Sequence, residues 1–147
     1  MNKIIECSKP SDDLVTELMS IWFNAVKTTH HFLSDEEINK LHNDVKVAMK
    51  EVDHLFVYTI EDQNAGFIGI NSDKVEMIFV SDKFQKKGVG SKLMNYVIEN
   101  YQIKYIDVNK ENEVAYKFYQ HLGFEILKKS EFDKYGNPFP VYHLIKH

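Results

Sequence analysis

This 147-residue sequence has little cysteine, and it has few long apolar runs and few clusters of like charge. The one cysteine, Cys7, excludes an internal disulfide and favours a reducing, cytoplasmic compartment. No run approaches the ~20 apolar residues of a membrane span, so no membrane partner is predicted. The net charge is −4 and the lysines are scattered among acidic residues, which argues against a nucleic-acid partner.

The remaining composition is that of a globular protein. Hydrophobic residues make up 44% of the chain and aromatic residues 13%, enough for a single core at this length. We therefore expect one domain over residues 1–147. The seven histidines and the cysteine show no ligand spacing, so no metal is predicted.

Hydrophobic periodicity predicts an α/β chain of the order β-α-α-β-β-β-α-β-α-β-β. The predicted strands are residues 2–7, 55–60, 66–70, 75–80, 105–108, 124–127 and 141–145, with a polar turn at 61–65. The predicted helices are residues 11–28, 34–49, 91–101 and 113–122. Because one helix connects strands 75–80 and 105–108, these two should be parallel within a mixed sheet.

Residues 75–94 are the most informative stretch, because a strand, a short glycine loop and a helix start follow one another. Glycines let a ligand approach the backbone, and a helix N-terminus attracts anions. Lys86 and Lys87 add positive charge, so the stretch is typical of a phosphate site. It contains neither a Walker A string nor, with Leu at position 93, the third glycine of the dinucleotide fingerprint.

Two strings in this order resemble the signatures of the GNAT acyltransferases. The loop Gln85-Lys-Lys-Gly-Val-Gly90 resembles the motif that holds the pyrophosphate of acetyl-CoA in that family. Asn112-x-x-Ala115-x-x-Phe118-Tyr119-x-x-x-Gly123-Phe124 resembles a second signature. The resemblance implies a mixed sheet of about seven strands and about four helices, with the two central parallel strands splayed and the first of them bulged.

The same resemblance implies acetyl-CoA as co-substrate, with its pantetheine arm along the bulged strand and its pyrophosphate in the glycine loop. The implied contacts are Ile78, Phe79, Val80, Gln85, Lys86, Lys87, Gly88, Val89, Gly90, Ser91, Asn112 and Tyr119.

The ends of the chain are similar to a narrower group, the YjaB-like bacterial acetyltransferases. The matching pieces are Trp22, Thr29-His30-x-Phe32-Leu33 and Ser130-Glu131-x-Asp133-x-x-Gly136-x-Pro138-x-Pro140. This likeness would place His30 beside the acceptor.

Amine acylation needs a base for the amine and an acid for the departing thiolate. Tyr119 matches the acid of the family, although a tyrosine on an apolar helix face is also a common core residue. Glu76 and His30 are rival bases, since Glu76 is the lone carboxylate of the central strand and a histidine titrates near neutral pH. Each also has a plainer interpretation, a strand-end carboxylate in solvent and a histidine at a helix C-terminus. Cys7 lies in a first strand, so direct transfer is expected.

The leading hypothesis is therefore an N-acetyltransferase acting on a small-molecule amine or a peptide amine, as a monomer or homodimer. The alternative is a non-catalytic acyl-CoA sensor of the same fold. The sequence leaves open the acceptor, the base and whether the acyl group is longer than acetyl.

Overall fold

The computed structural model describes residues 1–29, 33–134 and 136–147. Four helices flank one sheet of seven strands in the order β1-β2-β3-β4-β5-β7-β6. Only β4 and β5 are parallel among the pairs of this sheet in the described ranges. The strands are β1 Asn2–Glu6, β2 His54–Ile60, β3 Gln63–Asn71, β4 Lys74–Val80, β5 Tyr105–Asn109, β6 Phe124–Ser130 and β7 Val141–Lys146. The helices are α1 Asp12–Thr29, α2 Asp35–Glu51, α3 Val89–Tyr101 and α4 Glu113–His121, with a 3₁₀ turn at Asp82–Phe84. The predicted fold class is confirmed.

Capping residues define several helix ends, as the sequence predicts. Ser34 and Glu37 form a reciprocal capping box, in which the Ser34 hydroxyl accepts from the Glu37 N–H (3.1 Å) and Glu37 accepts from the Ser34 N–H (2.9 Å). Ser11 caps α1 by accepting from the Leu14 N–H at 3.2 Å. Gly123 follows α4 with φ of +97°, the left-handed conformation that favours glycine.

The hairpin between β2 and β3 is tighter than the five-residue turn predicted at 61–65. Its turn residues are Glu61 and Asp62, both with positive φ (48° and 65°), and β3 begins at Gln63. A two-residue turn with both φ values positive matches the twist of the paired strands. The polar residues that suggested a longer loop belong instead to the first part of β3, where Gln63 pairs with Ile60.

Each face of the sheet carries its own layer of helices. On one face α3 and α4 bury a cluster that includes Phe56, Ile68, Leu93 and Tyr119. On the other face α1 and α2 pack on the cluster that includes Trp22.

A bulge in β4 interrupts the alternation of its side chains. Gly69 pairs with Met77 but Ile70 pairs with Val75, so Glu76 is the extra residue. Val75 and Ile78 consequently pack on the α3 side although an odd number of positions separates them.

Directly after this bulge, β4 and β5 part. Their ladder consists of Lys74 with Tyr105 and Val75 with Ile106, and the rest of each strand runs unpaired with the other. The splay and the bulge that the family resemblance implied are both present.

Candidate active site

A cleft of about 720 Å³ opens where β4 leaves β5. The end of β4, the glycine loop and the first turns of α3 and α4 form its walls, and α1 closes one side. The lining residues are Ala25, Thr28, Ile78, Phe79, Val80, Phe84, Gln85, Lys86, Gly88, Val89, Gly90, Ser91, Glu111, Asn112, Glu113, Val114, Ala115, Phe118 and Tyr119.

The glycine loop presents backbone N–H groups to the cleft. Gly88 is the N-cap of α3 with φ of +77° and no side-chain cap, and its carbonyl accepts the N–H of Lys92 at 3.0 Å. The preceding N–H groups of the first turn have no partner within the helix, so they and the helix dipole favour an anion. The Gln85 side chain braces the loop by donating from Nε2 to the Val80 carbonyl (3.1 Å). The chain contains no arginine, so lysines are the cations available to this loop.

Asn112 starts α4 at the opposite wall of the cleft. Its Oδ1 accepts from the Ala115 N–H at 3.2 Å, which makes it the N-cap of the helix. This cap uses the oxygen and leaves the Nδ2 donors for a ligand. One residue thus orients the helix that carries Tyr119 and can also contact a molecule in the cleft.

Tyr119 lies on α4 and is only 7% exposed. Its ring packs against Phe118 and Phe124, with centroid distances of 5.4 and 6.3 Å. Burial raises the pKa of Tyr119 well above its usual range, so the phenol keeps its proton at neutral pH. A protonated phenol at the wall of a cleft can donate to a developing anion.

The cleft continues through the splay into a second, outer groove. A narrow passage of about 140 Å³ between β4 and β5 shares Tyr119 and Asn112 with the cleft. The same passage shares Glu76 and Asp107 with the outer groove, which has a volume of about 190 Å³. In the described residues, the cleft and the outer groove are therefore linked by lining residues at the point where β4 and β5 part.

Glu76, the bulge residue, lines both the passage and the outer groove. Its side chain is 17% exposed, and its Oε2 accepts from the Lys134 ammonium at 2.9 Å. Three apolar side chains complete this groove, one just before the cap of α2, one within α2 and one in the β6–β7 loop, namely Leu33, Leu41 and Phe139.

A hydrogen-bonded network fastens the strands at the point where they part. Asp107 accepts from the Lys74 ammonium (2.9 Å) and from His143 Nδ1 (2.7 Å), and His143 Nε2 lies 2.6 Å from the Ser130 hydroxyl. Because an ionised carboxylate only accepts, His143 donates to Asp107 from Nδ1, and its Nε2 shares a hydrogen bond with the Ser130 hydroxyl. The network links β4, β5, β7 and β6 beside the groove.

Replacing Asp107 with asparagine should lower the free energy of unfolding by about 1–3 kcal/mol, because Lys74 and His143 lose their shared charged acceptor in a half-buried position. Urea denaturation measures this change. Glu99→Gln on the exposed face of α3 is the matched control and should stay within about 0.5 kcal/mol of the parent protein. Equal effects of the two substitutions would contradict the role given to Asp107.

Most of the residues predicted to contact a cofactor line the main cleft. Lys87 does not, and Glu76 lies in the passage and outer groove instead. His30 falls outside the described residues. Sequence reasoning missed the aromatic wall of Phe84 and Phe118 and the contribution of α1, whose Ala25 and Thr28 lie far from the motifs in the sequence. Phe118 lies within the second motif, next to Tyr119, and this position was the sequence signal that could have predicted it as a cleft residue.

In the described part of the chain, no group of three or more histidine, cysteine, aspartate or glutamate side chains is arranged to hold a metal ion. Of the helices in those same ranges, none combines the length and the apolar character that crossing a membrane requires.

Comparison with known proteins identifies the family. The pattern described as "Acetyltransferase (GNAT) domain" matches residues 19–145. This chain belongs to the GNAT acetyltransferase family. The enzyme class expected from the two sequence motifs is thereby confirmed.

Individual relatives are similar to this GNAT protein in both sequence and structure. The peptidyl-lysine N-acetyltransferase YjaB of Escherichia coli K12 is 30% identical over 128 residues, 87% of each chain. The solution structure of apo YjaB from Escherichia coli superposes with a TM-score of 0.86 at 29% identity, covering 99% of this chain and 97% of that one. The narrower resemblance seen at the chain ends is thus confirmed.

The GNAT fold is also shared with more distant proteins. The PaiA N-acetyltransferase of Thermoplasma acidophilum, solved in complex with coenzyme A, has a TM-score of 0.71 at 17% identity and covers 99% of this chain and 98% of its own. At that identity the likeness concerns the fold alone.

Proposed function

We propose that this GNAT protein, acting as one domain over residues 1–147, transfers the acetyl group of acetyl-CoA directly to the side-chain amine of a lysine in a peptide or protein. The observation that carries the proposal is the passage through the splayed strands. It connects a cleft with a phosphate-type loop to a groove with carboxylates, so donor and acceptor can enter through separate cavities and meet beside Tyr119.

Acetyl-CoA fits the main cleft by the chemistry of its walls. Its pyrophosphate oxygens would accept hydrogen bonds from the N–H groups at the start of α3 and would pair with the ammonium of Lys86. Its pantetheine amides would pair with the free edge of β4 over Ile78–Val80 and with Asn112, in the manner of an added strand. This arrangement directs the thioester end of the molecule toward the passage.

The two proton transfers then fall on opposite sides of the thioester. A lysine ammonium must lose a proton before its nitrogen can attack, and Glu76 is the carboxylate at the groove end of the passage. The thiolate of CoA leaves on the other side, where the buried, protonated Tyr119 can donate. His30, the rival base, remains a candidate outside the described residues.

A lysine side chain suits the outer groove better than a bulky or anionic acceptor. Leu33, Leu41 and Phe139 can pack on its methylenes, and Glu76 and Asp107 favour its ammonium. The relatives named peptidyl-lysine N-acetyltransferases support the same acceptor class.

Calorimetric titration with acetyl-CoA, using ATP and NAD as controls, tests the donor. We expect micromolar affinity for acetyl-CoA alone, a range typical of such substrates. Acetylation of a lysine-containing peptide, followed by mass spectrometry against the same peptide with arginine at that position, tests the acceptor. Donor binding without turnover on any amine would leave the sensor alternative and refute the proposal.

Replacing Glu76 with glutamine should lower kcat/KM for a lysyl peptide about tenfold, because the amine loses its nearest proton acceptor. Steady-state rates for Glu76→Gln and His30→Gln, each against pH, compare the two candidate bases. A larger loss with His30→Gln would transfer the role of base to His30.

A further inference from the structure

We propose that Lys134 is a self-acetylation site, an acceptor that this enzyme carries within its own chain. The inference rests on the proposed function, since it uses the same groove and the same donor. It concerns a modification of the enzyme, whereas the proposed function concerns a separate peptide.

The amine of Lys134 lies beside the candidate base in the outer groove. Its Nζ lies 2.9 Å from Oε2 of Glu76, the residue at the junction of the passage and the outer groove. Lys134 lines that groove together with Glu76 and is itself 38% exposed at its side chain. The segment between β6 and β7 therefore places a lysine ammonium next to the candidate base.

Other lysines near the opening are held differently. Lys74 also lines the outer groove, but it belongs to β4 and its ammonium is bound by Asp107 at 2.9 Å. Lys128 precedes the same loop and is exposed, yet it lines none of the three cavities. Among these three lysines, Lys134 alone combines a place in the groove with a contact to Glu76.

The chemical step is the ordinary transfer with Nζ of Lys134 as nucleophile. Glu76 takes one proton from the ammonium, and the neutral amine attacks the thioester carbonyl of acetyl-CoA. A C–N bond forms and the C–S bond breaks, and CoA leaves as a thiol with a proton from Tyr119. The nitrogen releases its second proton from the tetrahedral adduct, and this proton restores the phenol of Tyr119. The product is a neutral amide, so the ion pair with Glu76 is lost.

An occupied groove also affects external substrates. A lysine from another protein has to displace the Lys134 ammonium from Glu76 before its own amine reaches the passage.

The test is incubation of the purified protein with acetyl-CoA or with CoA alone, followed by mass spectrometry of its peptides. We expect acetylation of Lys134 at least about tenfold faster than of Lys128, because the reacting groups are held together. The first-order rate constant should not change with protein concentration. Lys134→Arg keeps the positive charge and should abolish the modification, whereas Lys128→Arg should not affect it.

The outcomes separate the inference from the proposed function. An unmodified Lys134 in a protein that acetylates a lysyl peptide would overturn the inference and leave the proposed function standing. Equal labelling of Lys134 and Lys128, or a rate constant that rises with protein concentration, would also overturn it. Failure on both Lys134 and every peptide, with acetyl-CoA bound, would overturn both.

Discussion

Replacing Tyr119 with phenylalanine should lower the maximal rate of acetyl transfer at least about tenfold. A positioned general acid usually accelerates a reaction by about 10²–10⁴-fold, so a loss of this size or larger is expected when the acid is removed. The substitution removes the hydroxyl of a residue that lines both the cleft and the passage and leaves the buried ring in place. The fold should persist, because the ring contacts with Phe118 and Phe124 need no oxygen.

Affinity for acetyl-CoA should change little, since binding relies on the glycine loop and the edge of β4. Stopped-time assays at saturating donor and acceptor measure the rate, and calorimetry measures the affinity. Tyr116→Phe is the matched control on the same helix, because its hydroxyl accepts from Gln120 (3.1 Å) and it lines none of the cavities described above. Unchanged turnover of Tyr119→Phe would remove this residue as the acid.

Bulky substitutions in the glycine loop should weaken acetyl-CoA binding by about a hundredfold or more, equivalent to ~2.7 kcal/mol. A side chain at Gly88 would enter open space, since nothing lies within 4 Å of its Cβ position, and Gly88 itself lines the cleft. A Cβ at Gly90 would stand 3.6 Å from Phe118 and 3.7 Å from Val80, ordinary contact distances. An added Cβ is therefore tolerated at Gly90, and the further atoms of Gly90→Leu should occupy part of the ligand's volume, with thermal unfolding as the check that the variant folds.

Gly136 offers a control for backbone strain in the Gly88 variant. The two glycines have nearly the same φ, +81° and +77°, and an added Cβ meets nothing within 4 Å at either. Gly136→Leu should cost comparable stability in thermal unfolding, yet it should bind acetyl-CoA with the affinity of the parent protein. Normal affinity of a folded Gly88→Leu or Gly90→Leu variant would refute the assignment of this loop.

The fold could be read from local patterns because most of its elements carry their own signals. The capping box at Ser34, the glycine after α4 and the apolar run of β4 each fix an element within a few residues. The turn of the β2–β3 hairpin was placed wrongly, since Glu61 and Asp62 adopt the left-handed conformation without a glycine. Positive φ at non-glycine residues is set by strand pairing, which the local sequence does not display.

The candidate site also has parts that local sequence signals predicted and parts that depend on tertiary contacts. The loop at Gly88 and Gly90 is one short stretch whose glycines indicate a phosphate site. Asn112 and Tyr119 lie in a second short stretch, which was noticed through its resemblance to a GNAT signature. The partner of Glu76 could not be found this way, because Lys134 lies 58 positions further along the chain. The Asp107–His143–Ser130 network likewise joins three strands through tertiary pairing.

By itself, the sequence determined the order of elements and the stretch that can receive a phosphate, and the resemblance of two short motifs to the GNAT signatures indicated the class of this protein. Each of these depends on residues close together in the chain, where periodicity, caps and glycine spacing act directly. Only the tertiary structure decided that β4 leaves β5 after two paired residues and that a passage joins the two grooves. It also brought Lys134 to Glu76. Such contacts arise from the packing of distant segments, and no local pattern encodes them.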